Sequence, residues 1–494
     1  MYHVFPYWPE SFLGCDMFFP WMMPHTVERL SALRVHLATL FLLWCAAQTP
    51  NVHRCSWSRA PNSRIAGVGR TGTMIAIDGG IDQCIEEGTV DVFGFVSNLR
   101  RQRNYMVQSL EQYVFVYKAL AEWFTFGETD IEVEHIHEHV KYLLQPQSLS
   151  SPATCSRFMN STAATTSTGL PIVHFVGASN AARNAKQTPP LSNIACEFAR
   201  LEKSLENGRA HEFANKEFNQ RKNRKQNVVP YDRTRVILAP IIGHTDASYI
   251  NASVVKGYFY PYIMAQDPID AETAFDFWRM INEQCVACVV MLSDEQQFKP
   301  QETYWPEVVG QVRHFGPNSE FTVKLTNETD DVNTRYTVRK MSYHVSSGLP
   351  GRSREQTLQQ HEVVQFVYGD WSEQAFIGAS SSESTSMSAS CTAQSACTPG
   401  STGTLLELIG RVIQKQSYSK GDVGPIVVHC RDGSTRSGLY CAVSLLLERL
   451  KAEGRVDVFQ TAKSLQAQRM GTLPSLEQYK FAYQAVLDYL ESFR

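Results

Sequence analysis

"PIVVHCRDGSTRSG" occupies residues 425–438, and its reading decides that of the chain. An apolar, strand-like run ends in His429 and Cys430; a short loop of small residues follows, then Arg436, then the helical-looking "LYCAVSLLLERL". A thiol at the mouth of a helix meets the positive end of the helix dipole and a ring of backbone N–H donors, both of which stabilise thiolate. The same donors bind phosphate oxygens, and an arginine at the start of the helix can clamp two of them at once. A thiolate facing a bound phosphoryl group can attack phosphorus. On this spacing Cys430 is a candidate nucleophile, Arg436 a candidate clamp, and Arg431, Asp432, Gly433, Ser434 and Thr435 a candidate substrate cradle. The same spacing is open to a second reading, an inert core cysteine. Asp432 is the anomaly, since a carboxylate about 6 Å from a phosphoryl group costs about 3 kcal/mol per unit charge at an effective dielectric near 20. Arg431, its neighbour, is expected to neutralise it through an ion pair within the loop.

The context is a repeat. Gly67 to Tyr117 lies over Gly433 to Tyr483 without a gap, at an offset of 366 residues. Arg70 falls on Arg436, and "VDVF", "QR" and "SLEQY" recur in register, so the chain carries two copies of one loop–helix–helix–helix unit. Where the offset puts the cysteine, the first copy has Arg64. Arg64, Arg70, Gln108 and Gln112 therefore mark a degenerate site with no nucleophile. "GVGRTG" (67–72) also fits the dinucleotide pattern G-x-G-x-x-G, but "GSTRSG" loses the middle glycine and a lone match is weak.

Globular sequence precedes Cys430 as far back as Asn193, with strand-like runs such as "ACVVML" (287–292) and "FTVKL" (321–325). Before the first copy stand only residues 1–64, rich in Trp, Phe and Met, which are expected to be foreign to the fold or mis-joined. The expected organisation is a C-terminal fragment of a first domain over 65–127 and a linker over 128–192, a helix followed by a disordered Ser/Thr/Ala-rich tract. A complete second domain over 193–494 follows, interrupted by a solvated low-complexity insert at 378–404.

Bulk properties exclude several classes. The 494 residues are 43% hydrophobic and 19% charged, ordinary for a globular chain, and a net charge of −3 gives no reason to propose nucleic acid or an anionic membrane as partner. Twelve cysteines without framework spacing suit a reducing compartment. "VHLATLFLLWCAA" (35–47) is too short for a membrane span. No metal or cofactor is expected.

Beyond the loop, "KNRKQNVVPYDRTRV" (222–236), "DASYINASVV" (246–255), "AQDPIDAETAFDFWRMI" (265–281), "YWPE" (304–307) and "SLEQYKFAY" (475–483) follow in an order that resembles the protein tyrosine phosphatases. The resemblance is to the tandem cytoplasmic domains of receptor-type members, with a truncated membrane-proximal copy and a membrane-distal copy of the leukocyte-common-antigen type. It implies an α/β fold of the α+β kind, a twisted mixed sheet flanked by helices. It also implies phosphotyrosine as substrate, with Lys225 at the recognition position, Glu373 as general acid and Gln478 in the water-positioning loop.

The departures from the family pattern are as informative. The loop differs at Arg431, Asp432, Ser434 and Thr435; the recognition tyrosine is Lys225; the acid loop reads Trp371-Ser372-Glu373, with Asp370 beside it; and Pro474 replaces the glutamine that the first copy keeps as Gln108. These changes favour a weakly active or inactive second domain that regulates a catalytic neighbour or docks phosphotyrosine proteins. The alternative is an active phosphatase working through a Cys430 thiophosphate. The expected location is the inner face of the plasma membrane, as part of a receptor. The helix terminus and loop donors are expected to depress the Cys430 pKa while Asp432 pushes it the other way, leaving a thiol that alkylates or oxidises readily yet hardly turns over aryl phosphates.

Overall fold

Residues 68–146, 192–204, 209–241, 247–331, 336–346, 360–369, 371–372, 398–419 and 424–492 are described by the computed structural model. The chain divides into two units between Asp130 and Ile131. Among the described residues the first contains three helices, α1 (Gly69–Glu87), α2 (Val92–Gln102) and α3 (Leu110–Phe126). Their ends are written in the sequence. Gly88 closes α1 in the left-handed region at φ 67, with its N–H on Cys84 O. Asp91 caps α2 by accepting Gly94 N at 2.8 Å, and Ser109 opens α3 in a capping box with Gln112. Ala76, Ile77 and Ile81 of α1 meet Val92 and Val96 of α2 and Val116, Ala119 and Leu120 of α3 in one small apolar core.

The second unit opens with β1 (Ile131–Glu132), α4 (Ile136–Leu143), α5 (Asn193–Ser204) and the short α6 (Glu217–Gln220). Strands β2 (Arg235–Ile237), β3 (Tyr249–Val255) and β4 (Tyr262–Gln266) follow, then α7 (Ala271–Glu283) and β5 (Cys288–Met291). Next come β6 (Val312–Phe315), β7 (Phe321–Asp331), β8 (Tyr336–Val345), β9 (His361–Val367), β10 (Trp371–Ser372) and β11 (Thr398–Pro399). The unit closes with α8 (Thr402–Tyr418), β12 (Ile426–Cys430), α9 (Thr435–Glu453), β13 (Arg455–Val456), α10 (Val458–Gln468) and α11 (Leu476–Glu491).

Among the described residues nine strands form one twisted mixed sheet in the order β2-β3-β4-β12-β5-β9-β8-β7-β6. β12 lies parallel to both β4 and β5, and all its residues are buried, which explains its unbroken apolar run. Successive residues of β4 serve opposite faces. Ile263 and Ala265 join the core under α7, with Phe277 and Trp278, while Tyr262 reaches Ser444 and Glu448 of α9 on the other side. Helices therefore cover both faces of the sheet.

Two boundaries differ from the sequence reading. The helix over Ile136–Leu143, read as the start of a linker, folds with the second unit, because β1 pairs with β13 and Asn193 N donates to Gln145 O. The end of the expected insert is ordered: Thr398 and Pro399 pair with Ser372 and Trp371, and the buried Thr402 starts α8, its hydroxyl donating to Asp488. Residues 1–64, most of the linker and 378–397 lie outside the described residues.

Candidate active site

The loop 431–434 leaves the middle of the sheet at the carboxyl end of β12 and enters α9, the place where open α/β sheets gather ligands. Gly433 sits at φ +68, and a Cβ there would stand 2.4 Å from Gln266 N. Only glycine fits so close to β4. Behind the loop His429 is buried between Asp267 Oδ1, 2.7 Å from Nδ1, and Tyr304 Oη, 2.8 Å from Nε2. Gln365 donates to the same tyrosine oxygen at 2.7 Å, so a neutral ring with its proton on Nδ1 satisfies every partner. Asp267 also accepts Ser293 Oγ at 2.6 Å and donates its N–H to Cys430 O at 2.9 Å.

The cradle holds a carboxylate of its own. Asp432 Oδ1 accepts Ser434 N and Thr435 N, each at 3.0 Å, and Oδ2 accepts Thr435 Oγ1 at 2.8 Å. Lys225 Nζ completes the set at 3.1 Å from Oδ2. Burial pushes this carboxyl up, but the Thr435 N–H and hydroxyl, the Lys225 charge and the Ser434 N–H outweigh it and hold the group down at about 2. The Cys430 thiol, itself buried, points at Asp432 Oδ1 across 3.5 Å. Burial and then the Asp432 charge push the thiol up to about 11, against a smaller pull from the Ser437 hydroxyl and N–H.

Two expectations are corrected here. Arg431 does not neutralise Asp432; it points the other way and donates to Glu302 Oε2 at 3.1 Å, while the lysine at the recognition position takes the aspartate. Adjacent residues on a tight loop point to opposite sides, so sequence neighbours were the wrong pair. The thiol is raised and not acidified: burial, then the Asp432 charge, outweigh the Ser437 hydroxyl and N–H, while Ser434 N and Thr435 N face Asp432.

Arg436 donates from Nη1 to Leu292 O at 3.0 Å and lies 5.1 Å from the Trp371 ring centroid, a cation–π contact with β10. Gln478 Nε2 donates to Thr435 O at 3.2 Å. Its counterpart Gln112 lies beside the start of α1, since a Cβ on Gly69 would stand 2.8 Å from its Nε2. Gln112 Oε1 accepts Gln108 N at 2.7 Å, and Arg70 is exposed on the first turn of α1. Arg64, Asp370 and Glu373 lie outside the described residues.

Residues not singled out from the sequence complete the site. Arg469, wholly buried, donates to Gly433 O at 3.1 Å, Asp432 O at 3.4 Å, Asn251 Oδ1 at 2.6 Å and Ser253 Oγ at 3.2 Å, tying the loop backbone to β3. Desolvation brings its own pKa down to about 10. The repeated "QR" pair carries it and could have flagged it. Glu302 joins Arg431 to Arg224, whose N–H donates to Gln266 Oε1 at 2.7 Å.

A central parallel strand ending in His-Cys, a glycine-pinned loop and an arginine on the first helical turn define a phosphate-cradle fold. The family model for protein-tyrosine phosphatase matches residues 63–122 and 219–488, and the chain belongs to that family. Within it the similarity is to receptor-type members. A receptor-type tyrosine-protein phosphatase of Caenorhabditis elegans is 42% identical over 426 residues, 86% of this chain and 28% of the relative. Tyrosine-protein phosphatase Lar of Drosophila melanogaster is 31% identical over 465 residues, 92% of this chain and 18% of the relative. Receptor-type tyrosine-protein phosphatase alpha of Homo sapiens is 33% identical over 432 residues, 87% of this chain and 44% of the relative. The chain thus spans less than half the length of these relatives. Among the described residues no helix is long and apolar enough to cross a membrane.

Proposed function

We propose that the second domain is a pseudophosphatase: a phosphotyrosine-phosphatase fold that regulates a catalytic neighbour or docks partners without turning over substrate. In a receptor it would work at the inner face of the plasma membrane, with phosphotyrosine proteins or a catalytic phosphatase domain as its partners. The observation that carries this reading is the Asp432 carboxylate, bonded to Ser434 N, Thr435 N, Thr435 Oγ1 and Lys225 Nζ. An incoming phosphoryl dianion would have to displace it from donors in a site of low dielectric, and would meet its charge otherwise. The chemistry also needs Cys430 as thiolate. Burial and the Asp432 charge push the thiol up to about 11, which disfavours the thiolate at neutral pH.

The competing reading takes Cys430 as nucleophile, Arg436 as clamp and Glu373 as acid. In it the thiolate attacks phosphorus, the tyrosine oxygen leaves with the acid's proton, and water then hydrolyses the thiophosphate. The intact Gly433 turn and the Gln478 contact to Thr435 O speak for it. Turnover of phosphotyrosine peptides by the chain and by its Cys430→Ser variant decides between them. Equal, background-level rates are expected, and Cys430-dependent turnover by the natural chain overturns the proposal. As a positive arm, Lys225→Tyr with Asp432→Ala should create saturable orthovanadate binding. Adding Ser372→Pro, Glu373→Asp and Pro474→Gln should then raise turnover by about a hundredfold or more.

A further inference from the structure

The repeat gives each residue of the first copy a counterpart whose surroundings are known. In the second copy α5 lies across α10 and α11. It turns Ile194, Glu197, Phe198 and Leu201 inward, all buried, at the i, i+3, i+4, i+7 spacing of one helix face. Glu197 is the polar centre of that face. Its Oε1 accepts Tyr479 Oη at 2.5 Å and Tyr483 Oη at 2.9 Å, and the Phe198 ring stands 5.5 Å from that of Tyr479.

The counterparts of these tyrosines are Tyr113 and Tyr117. Their rings keep the same edge-on packing, 5.3 Å and 78° against 5.6 Å and 80° for Tyr479 and Tyr483. Their hydroxyls bond to one another, 3.3 Å apart, at the surface. Tyr117 is 47% exposed where Tyr483 is 1%, and Phe93 is 72% exposed where Phe459 is 1%. At the end of α2 stand Arg100 and Arg101, where the second copy has Gln466 and Ala467. The first copy therefore presents the same tyrosine pair, Tyr117 exposed and Tyr113 half-buried, with added positive charge at its edge.

We propose that the α2–α3 face of the first unit, centred on Tyr113 and Tyr117, is a docking site for an amphipathic helix of a protein partner that presents one glutamate among apolar residues in the α5 pattern. The glutamate enters between the hydroxyls and replaces their mutual bond with two charge-assisted ones. The apolar flank of the helix covers Phe93. Because the rings already hold the bound geometry of the second copy, little ordering cost remains in them. The inference does not depend on whether the second domain turns over.

The probe is a fluorescent synthetic peptide covering residues 192–204 of this chain, titrated with the full chain. Saturable binding is expected, weakened about tenfold by the double change Tyr113→Phe with Tyr117→Phe, and about as much by Glu197→Gln in the peptide. Loss of the tyrosine hydroxyls leaves the rings in place, and hydrogen exchange over 110–126 verifies that α3 persists. The peptide-side change leaves the protein untouched, so it tests the same bonds without touching folding. Absence of saturation up to about 1 mM peptide overturns the proposal. So does binding that ignores Tyr113 and Tyr117 but is lost with Tyr479→Phe and Tyr483→Phe, which would mean exchange into the second copy.

Discussion

The two copies of the helical unit differ in almost nothing local and in almost everything around them. α1 and α9, α2 and α10, and the starts of α3 and α11 coincide residue for residue at the repeat offset. Gly88 and Gly454 close their helices at φ 67 and 66, and Val107 and Leu473 share a positive φ. Yet Cys441 is wholly buried where Ile75 is 40% exposed. In the second copy α9 packs on β4 and β12; in the first, the three helices close a small core among themselves. Local sequence sets where helices begin and end. Burial is set by what the rest of the chain supplies, and most helical stability comes from that burial.

The sharpest way to break this comparison is to remove the same ring from each copy. Phe459→Ala deletes a buried side chain and should cost about 3–5 kcal/mol of second-unit stability. Phe93→Ala removes a mostly exposed one and should stay within about 0.5 kcal/mol in the first unit. Urea dependence of hydrogen exchange, read separately over α2 and α10, gives both numbers. Comparable losses would mean that the α2 face is covered in solution.

What the sequence disclosed follows the same division. The strand–loop–helix, the repeat and the caps were legible because they depend on neighbours in the chain. The Lys225–Asp432 pair was not, because 207 residues separate its members and each read as a separate loss. Together they are one substitution in physical terms, a lysine and an aspartate that satisfy each other where the family pattern has a tyrosine and a loop without this carboxylate. Arg469 was passed over because "QR" served only to fix the register, and a buried arginine leaves no mark in hydrophobic periodicity. The thiol is not legible for a related reason: burial raises it first and the Asp432 charge second, and the depth of that burial is set by distant segments of the chain.

Acid tests the filled cradle. The Asp432 carboxyl is depressed on folding, from an ordinary value of 3.8 to about 2. A folded pKa below the unfolded one contributes stability that is fully present above the unfolded value and lost as pH falls through the folded one. Asp432→Asn should therefore cost about 2 kcal/mol near pH 6, with the difference from the natural chain shrinking below about pH 4 and vanishing as pH falls through about 2. The first copy carries Ala66 at this position and has no such dependence to lose. Stability curves of the two proteins measured from pH 6 downward check this; parallel curves would show that Asp432 is not held as a bonded carboxylate.

The smallest effect should also be the most nearly equal between the copies. Ser109 Oγ accepts Gln112 N at 3.3 Å, and Ser475 Oγ accepts Gln478 N at 3.3 Å. An N-cap bond satisfies one orphan donor of the first turn, and its worth depends on that turn more than on what covers the helix. Ser109→Ala and Ser475→Ala should each cost about 1 kcal/mol, seen as about fivefold faster exchange of the first-turn amides of α3 and α11. The side chain three residues on differs, since Gln112 Oε1 accepts Ser109 N at 3.3 Å while Gln478 Nε2 donates to Thr435 O at 3.2 Å. That reciprocal bond belongs to α3, so its cap should lose slightly more, by a few tenths of a kcal/mol. A much larger loss at Ser475 would show that α11 holds its start through the loop around Asp432, and that the cap is no longer a local device in the copy that packs on the sheet.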